Sequence, residues 1–295
     1  MDKETIEKYK KAGNIAAQAR DYGCNLIKPG IRVVDVCDKV EAKIHELGGE
    51  IAFPAQISIN DFAAHFCPEQ DDPIAFKEGD LAKLDVGVHI DGYIGDTAKT
   101  VDLGDNKELV KASEEALDAA LKLVKPGITL GELGTAIQEV ITSKGFSPIK
   151  NLSGHGLGHY NIHTSPTIPN FNTNDDTELE EGMVIAIEPF ATDGQGAIYE
   201  SGNPTIFTLI TNRSVRNRMT REILKDIQKY NGLPFCTRWL QKKHSLGKIK
   251  FALKEMRQLD MLQEHPPLPD KAHGMVSQAE HTIIVLDKSI ITTKI

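Results

Sequence analysis

The chain has 295 residues, 40% of them hydrophobic and 26% charged, which is typical of a globular protein with room for about two domains. No apolar run approaches the roughly 18 residues of a membrane span, and the charged beginning MDKETIEKYK is unlike a secretory signal. Four scattered cysteines argue against a zinc ribbon or a disulfide framework and favour the cytoplasm, and a net charge of −8 argues against a specific DNA-binding protein.

The first 60 residues predict two helices followed by a strand. Apolar residues at helical spacing predict a helix over 3–22, which the Lys-Pro-Gly sequence at 28–30 ends. A second helix is predicted over 33–47 and ends at a Gly-Gly pair. The run IAFPAQISIN at 51–60 favours a short strand, and the Asp- and Pro-rich segment after it favours a loop.

Residues 81–101 predict a β-hairpin that brings two aspartates together. Two β-branched runs flank an Asp-Gly pair at 91–92, which is a strong hairpin signal. With a two-residue turn there, Asp85 faces Ala98, and Asp96 points to the same face as a diagonal neighbour about 7–8 Å away. Two such carboxylates repel unless a cation lies between them, so they indicate a metal site; the alternative is two solvated aspartates.

The second half of the chain repeats the plan of the first. Helices are predicted over 107–124 and 130–143, and a Lys-Pro-Gly-Ile sequence at 125–128 separates them just as one at 28–31 separates the first pair.

The acidic residues follow the same repeat. A Glu-Gly pair precedes Asp85 by seven and six residues, and another precedes Glu188 by the same distances. Asp96-Thr-Ala has a counterpart in Glu280-His-Thr, and each is followed by a β-branched run. Two copies packed about a pseudo-twofold axis would place these four acids around one centre.

A segment between Glu188 and Glu280 interrupts the second copy. A Gly-rich, polar stretch over 193–203 indicates a loop, and helical patterns follow over 213–230 and 248–262. We therefore predict a main domain and a helical inserted subdomain, with the main domain formed by 1–192 and 272–295 and the insert by 193–271.

Three histidines recur every fourth residue in the glycine-rich run NLSGHGLGHYNIH at 151–163. On a helix, His155, His159 and His163 would suggest a zinc site, but the glycines make a helix costly and favour an extended run. The three histidines therefore need not share one role. The apolar run that ends in Glu188 is a buried strand whose terminal charge needs a partner.

Four acids and one imidazole together make an oxygen-rich donor set. Such sites suit a pair of hard or borderline divalent ions, namely Mn, Fe, Co or Zn. The members of the set are Asp85, Asp96, His155, Glu188 and Glu280.

The chain resembles the type II methionine aminopeptidases, which have the pita-bread aminopeptidase/creatinase fold. The resemblance covers nearly the whole chain; the short N-terminus is similar to the archaeal form, and an insert between Glu188 and Glu280 marks the type II class. The segments that carry it are AFPAQISINDFAAH at 52–65, KLDVGVHIDGYIGDTAKTV at 83–101, NLSGHGLGHYNIHTSPTIPN at 151–170, AIEPFAT at 186–192 and AEHTIIV at 279–285.

This resemblance implies an α+β pita-bread fold with two pseudo-symmetric halves around a dinuclear metal site. It implies removal of the initiator methionine from nascent proteins in the cytoplasm when the second residue is small. Two divalent ions (Co, Mn, Fe or Zn) would be held by Asp85, Asp96, His155, Glu188 and Glu280.

The resemblance also assigns the catalytic and substrate-binding residues. Glu188 would move a proton, His163 would hydrogen-bond the scissile carbonyl, and His65 would contact the peptide beside it. Phe53 would line the methionine pocket. The alternative for His65 and His163, from the residues alone, is two surface histidines.

Two other functions compete with this one. A proline-specific peptidase uses the same ligand set but carries a large extra N-terminal domain, whereas only about 80 residues precede the first ligand here. A pita-bread protein that has lost its metals and serves as a binding module is disfavoured, because all five ligand positions hold usable residues.

The insert suggests a further partner. Residues 213–271 contain 14 Lys/Arg and 6 Asp/Glu, a net +8 that leaves about −16 on the remainder of the chain. An enzyme that acts on emerging chains could dock on ribosomal RNA through such a surface; the alternative is an ordinary solvated helical surface. The basic residues of interest are Arg213, Arg216, Arg218, Arg221, Lys242, Lys243, Lys248 and Lys250.

Overall fold

The first half of the chain packs two helices against a three-stranded antiparallel sheet. The computed structural model describes all 295 residues, and none of its helices is long and apolar enough to cross a membrane. The sheet has the order β1-β3-β4. The elements are α1 (Lys3–Leu26), α2 (Val33–Glu46), β1 (Glu50–Ile59), β2 (Phe62–Ala64), β3 (Leu81–Ile90) and β4 (Tyr93–Asp102).

The second half repeats a helix pair and then forms a five-stranded sheet. A capping box, in which Thr129 and Glu132 satisfy each other's backbone N–H groups, begins the second helix of the pair. The elements up to the insert are α3 (Lys107–Leu123), α4 (Leu130–Ser143), β5 (Ser147–Pro148), β6 (Ser153–Gly158), β7 (Asn161–Pro169), β8 (Val184–Ile187) and β9 (Phe190–Thr192).

The rest of the chain forms the insert and then returns to the second half. The insert elements are β10 (Ile206–Leu209), α5 (Arg218–Ile227), a 3₁₀ turn (Gln228–Tyr230), β11 (Phe235–Cys236), α6 (Thr237–Gln241), α7 (Leu246–Gln258), β12 (Leu262–His265) and β13 (Leu268–Pro269). The returning strands are β14 (Val276–Gln278), β15 (His281–Ile284) and β16 (Ile290–Ile291), and the five-stranded sheet has the order β16-β15-β8-β6-β7.

The two halves share their connections as well as their element order. After the first helix, the backbone N–H of Gly30 donates to Phe76 at 2.8 Å; in the second half, Gly127 donates to Leu179 at 2.9 Å. The Glu-Gly pairs are also equivalent, because Gly79 donates to Leu103 and Gly182 to Val285, each at 2.8 Å. The duplication predicted from the sequence is therefore confirmed.

The predicted hairpin has the expected register. Asp85 pairs with Ala98 and Gly87 with Asp96, so the two aspartates are diagonal neighbours on one face. Asp91 and Gly92 occupy the turn with φ values of 50° and 85°, a conformation that suits an Asp-Gly pair.

Strands β4 and β15 join the two sheets into one polar seam. The backbone N–H of Asp96 donates to the Thr282 hydroxyl, which donates in turn to the Asp96 carbonyl, both at 2.8 Å. The Thr97 hydroxyl donates to the Glu280 carbonyl at 2.8 Å. One acid from each half is thereby fixed at the centre of the molecule.

The insert has a hydrophobic core of its own and is anchored to α2 by a buried cation. Arg238 is 1% exposed and hydrogen-bonds both oxygens of Glu41, at 2.6 and 2.9 Å, while the Trp239 indole donates to the same carboxylate at 2.9 Å. The insert also contains a three-stranded sheet of order β11-β10-β12, which the sequence did not predict. The boundaries 1–192, 193–271 and 272–295 remain a prediction.

Candidate active site

A cavity of about 490 Å³ lies where the two halves and the insert meet. Its walls combine carboxylates, histidines and a small apolar region. Every site residue proposed from the sequence lines this cavity, namely Phe53, His65, Asp85, Asp96, His155, His163, Glu188 and Glu280.

The duplicated plan explains why the four acids meet. Asp85 and Asp96 lie on β3 and β4, on one face of the hairpin. Glu188 follows β8 and Glu280 precedes β15, and these two strands are paired neighbours in the second sheet. Because the sheets meet along the β4–β15 seam, each half delivers two carboxylates to one cavity.

His155 stands among these acids. Its Nε2 atom is 3.8 Å from Asp96 Oδ2 and 3.8 Å from Glu188 Oε1. Ligand atoms of Asp96, His155 and Glu280 all lie within 4.8 Å of one another. These spacings allow the side chains to share a cation.

The carboxylates lack the protein partners that buried charges need. Asp85 Oδ1, Asp96 Oδ1 and Glu280 Oε2 are buried and make no hydrogen bond, while Glu188 Oε2 accepts from the Gln278 amide at 3.2 Å. A buried carboxylate without a partner is costly. This cluster of acids is therefore better explained by a bound cation than by ordinary core packing.

The pKa values of the acids also indicate that the protein supplies too little positive charge to balance these carboxylates. Burial raises the pKa of Asp85 to about 7. Burial, and then the neighbouring carboxylates, raise the pKa of Asp96, Glu188 and Glu280 well above their usual range. Oxygen donors together with one imidazole are the ligands that borderline divalent ions accept.

The imidazole of His155 is in the neutral form that a metal ligand requires. Burial, with the His163 ring nearby, lowers the pKa of His155 to about 3. Its Nδ1 lies 3.2 Å from the Gly156 carbonyl, so a proton on Nδ1 leaves the Nε2 lone pair facing the acids.

His163 and His65 line the same cavity outside the acid cluster. The His163 ring stands 4.4 Å from the His155 ring and is open to the cavity, and burial lowers its pKa. Burial, followed by the neighbouring His265 and His163, lowers the pKa of His65 to about 3, and its Nδ1 is buried without a partner. Both rings are therefore neutral at pH 7 and free to bind a ligand.

His159, the third histidine of the run, lies elsewhere. Its Nε2 is 2.7 Å from the Asp91 carbonyl at the tip of the first hairpin, outside the cavity. The glycine-rich run is extended as predicted, because β6 carries His155 and β7 carries His163.

Phe53 belongs to the apolar wall of the cavity. It is 5% exposed, and its ring lies directly over Gly87, where a Cβ atom would come within 2.1 Å of Phe53 Cε1. Gly87 therefore leaves the space that the ring occupies. Other apolar residues that line the cavity include Ile162, Ile206 and Pro234.

Three cavity residues come from the insert and were missed in the sequence. Ile206, Pro234 and His265 all line the cavity. His265 is buried, and burial followed by His163 lowers its pKa to about 4. The only sequence signal was a histidine beside a Pro-Pro pair at the end of the insert, which indicates a loop as readily as a site.

Known proteins provide an independent comparison. The sequence profile of metallopeptidase family M24 matches residues 7–217. The chain is 50% identical over 296 residues to a methionine aminopeptidase of Archaeoglobus fulgidus, with 100% of each chain covered. The solved methionine aminopeptidase of Thermotoga maritima is 27% identical with a TM-score of 0.72, covering 100% of this chain and 98% of that one. A prolidase of Pyrococcus furiosus has a TM-score of 0.62 at 22% identity, covering 100% of this chain and 65% of that one.

Proposed function

Because the chain belongs to the methionine aminopeptidases of metallopeptidase family M24, we propose that its acid-lined cavity is where the peptide bond after an N-terminal methionine is hydrolysed. The observation that carries this proposal is the convergence of one neutral imidazole and four carboxylates, three of which have a buried oxygen without a protein partner. The expected α+β pita-bread fold and the class of metallo-aminopeptidase are confirmed. The prolidase alternative fits less well, since the chain is 50% identical to a methionine aminopeptidase and 22% identical to the prolidase.

The residues that would hold metal are Asp85, Asp96, His155, Glu188 and Glu280. We propose two divalent ions, chosen from Co, Mn, Fe and Zn, because four acids and one imidazole can balance two dications. When bound, such ions lower the pKa of a water molecule and polarise a carbonyl group.

Glu188 is the proposed proton carrier. It lies at the edge of the acid cluster, 3.8 Å from His155, and one of its oxygens is held by the Gln278 amide. Its carboxylate lines the cavity beside the other acids, so it can accept a proton from the attacking water. The same proton would then pass to the leaving amine.

His163 and His65 are the proposed substrate histidines. A neutral imidazole carries one N–H group, and His163 would donate it to the scissile carbonyl and to the oxyanion that develops there. His65, whose Nδ1 lacks a protein partner, would contact the peptide beside it. The positive α-amine of the substrate would lie against the acids, which favours cleavage at a free N-terminus over cleavage inside a chain.

The apolar wall predicts the specificity. Phe53, with Ile162, Ile206 and Pro234, should accept the unbranched methionine side chain, and turnover should require a small second residue. Release of the first residue from Met-Ala-Ser, Leu-Ala-Ser and Lys-Ala-Ser measures this directly. Only the methionine peptide should be cleaved efficiently; efficient cleavage of the leucine or lysine peptide would contradict the assignment of the pocket.

The basic insert is a proposed docking surface for ribosomal RNA in the cytoplasm. Several of its cations are exposed and have no ion-pair partner, whereas Arg218, Lys243 and Lys248 are paired with Glu222 or Asp226. Arg213, Arg221 and Lys225 line a shallow groove on this surface. Unpaired cations such as these bind phosphates with an affinity that falls as salt rises.

A charge reversal with a matched control tests this surface. Co-sedimentation with ribosomes should weaken steeply as salt rises, and should weaken further when Arg213, Arg216 and Arg221 are replaced by Glu. The control replaces three exposed lysines of the main domain by Glu, namely Lys39, Lys122 and Lys125. Hydrolysis of free tripeptides should be unchanged in both variants. If ribosome binding does not change with salt, or if the control variant weakens it as much as the insert variant does, the insert is not the docking surface.

A further inference from the structure

His265 enters the cavity from the insert, although it lies far along the chain from the other site residues. It ends β12, where it pairs directly with Ile206 of β10. Residues directly opposite each other in an antiparallel pair point to the same face, so Ile206 and His265 both face the cavity.

The ring of His265 is held in a fixed orientation. Its Nε2 lies 2.9 Å from the Thr208 hydroxyl, and it is 8% exposed. This is the only hydrogen bond that the ring makes, which leaves Nδ1 free. A buried, oriented ring in a cavity wall is a rigid boundary for whatever occupies the cavity.

The neighbours of His265 show which part of the substrate it would meet. Its ring centre is 5.6 Å from that of His65, nearly perpendicular at 85°, and 6.5 Å from that of His163. His163 is itself 4.4 Å from His155 in the acid cluster. In this series of neighbouring rings, His163 therefore connects His155 of the acid cluster to His265.

The sequence from the acids through His163 to His265 can be compared with the order of groups along a bound peptide. The acids would hold the α-amine and His163 the scissile carbonyl, while the apolar wall would hold the methionine side chain. The next group along the peptide is the second residue, and His65 and His265 are the two remaining histidines that line the cavity, side by side.

We propose that His265 is a specificity-determining residue, whose ring forms the wall that limits the size of the second residue of the substrate. This inference rests on the function proposed above. The hydrogen bond to Thr208 and the burial of the ring oppose its rotation away from a larger second residue.

The test is a comparison of second residues. Peptides Met-Gly-Ser, Met-Ala-Ser and Met-Val-Ser are assayed with the wild type and with His265→Ala. The shortened side chain should raise kcat/KM for the valine peptide relative to the alanine peptide by about 10-fold, the scale on which pocket walls discriminate one or two carbons. His265→Phe, which keeps a ring of similar size, should leave that ratio unchanged.

Two controls make the result decisive. His273→Ala removes an exposed histidine that lies just after the insert, is paired with Asp61 outside the cavity, and should leave the ratio unchanged. If His265→Ala does not fold, His265→Val, which suits a strand, gives the same comparison. An equal fall on all three peptides, or an unchanged ratio, would overturn the inference.

The outcomes also separate this inference from the function on which it rests. A wild-type protein that releases no methionine from Met-Ala-Ser would contradict the proposed function itself. Release of methionine by the wild type, together with His265 variants that keep the wild-type ratio, would overturn the role of His265 alone.

Discussion

Replacing Asp85 by Asn, or Glu280 by Gln, is expected to abolish methionine release and to reduce the metal content, while making the metal-free protein more stable. Each change removes one of four clustered carboxylates that repel one another, and both Asp85 and Glu280 have a buried oxygen without a protein partner. The remaining carboxylates then repel one another less, and the site attracts a cation less strongly. Less metal should therefore bind, and the metal-free protein should be more stable.

The measurements are metal analysis, peptide turnover and thermal unfolding with and without a chelator. Asp105→Asn and Glu181→Gln, two exposed acids outside the cavity, serve as matched controls and should behave as the wild type. A variant that keeps near-normal activity and full metal occupancy would show that the replaced acid is not a ligand.

The stability of the chelated protein should also depend on pH in a defined direction. Folding raises the pKa of Asp85 from 3.8 to about 7, so the folded, metal-free protein binds this proton more tightly than the unfolded chain does. The contribution of this group is therefore fully present below about pH 4 and is lost as the pH rises to about 7. Added metal should remove this trend, and Asp85→Asn should weaken it in the chelated protein.

Replacing His163 by Ala is expected to lower kcat by about 10²–10³-fold, the usual cost of losing one donor to an oxyanion. Metal content should be unchanged, because His163 is proposed to contact the substrate rather than the metals. The loss should appear in kcat and in kcat/KM together, since the hydrogen bond would strengthen in the transition state.

The matched control for His163 is four residues earlier. His159→Ala removes a histidine of the same run that contacts the Asp91 carbonyl outside the cavity, and it should retain activity. Loss of metal from His163→Ala would make this histidine a ligand and contradict the role assigned to it.

Much of the acid cluster could be predicted from the sequence, because short-range features determine it. The Asp-Gly turn sets the hairpin register, and the register alone places Asp85 and Asp96 on one face. The repeated Lys-Pro-Gly and Glu-Gly signals relate the halves to each other, so the positions of Glu188 and Glu280 follow from those of the aspartates.

The wall contributed by the insert could not be predicted in the same way. The pairing of Ile206 with His265 joins strands that are more than fifty residues apart, and no short turn sets its register. These strands are only four residues long, and between them lie a two-residue strand and three helices. Helical periodicity therefore dominated the pattern of the insert, and the sheet that carries His265 left little signal in the sequence.

The seam between β4 and β15 has a consequence for how such a site can originate. Each half brings two of the four acids, so one copy of the repeated unit could close the cluster only by pairing with a second chain about a true twofold axis. In such a dimer the site would exist only at concentrations that favour association. Joining the copies in one polypeptide makes the encounter intramolecular, so that the site assembles at any dilution. It also frees the two copies to diverge, and in this chain only the second copy has acquired an insert that forms part of the cavity wall.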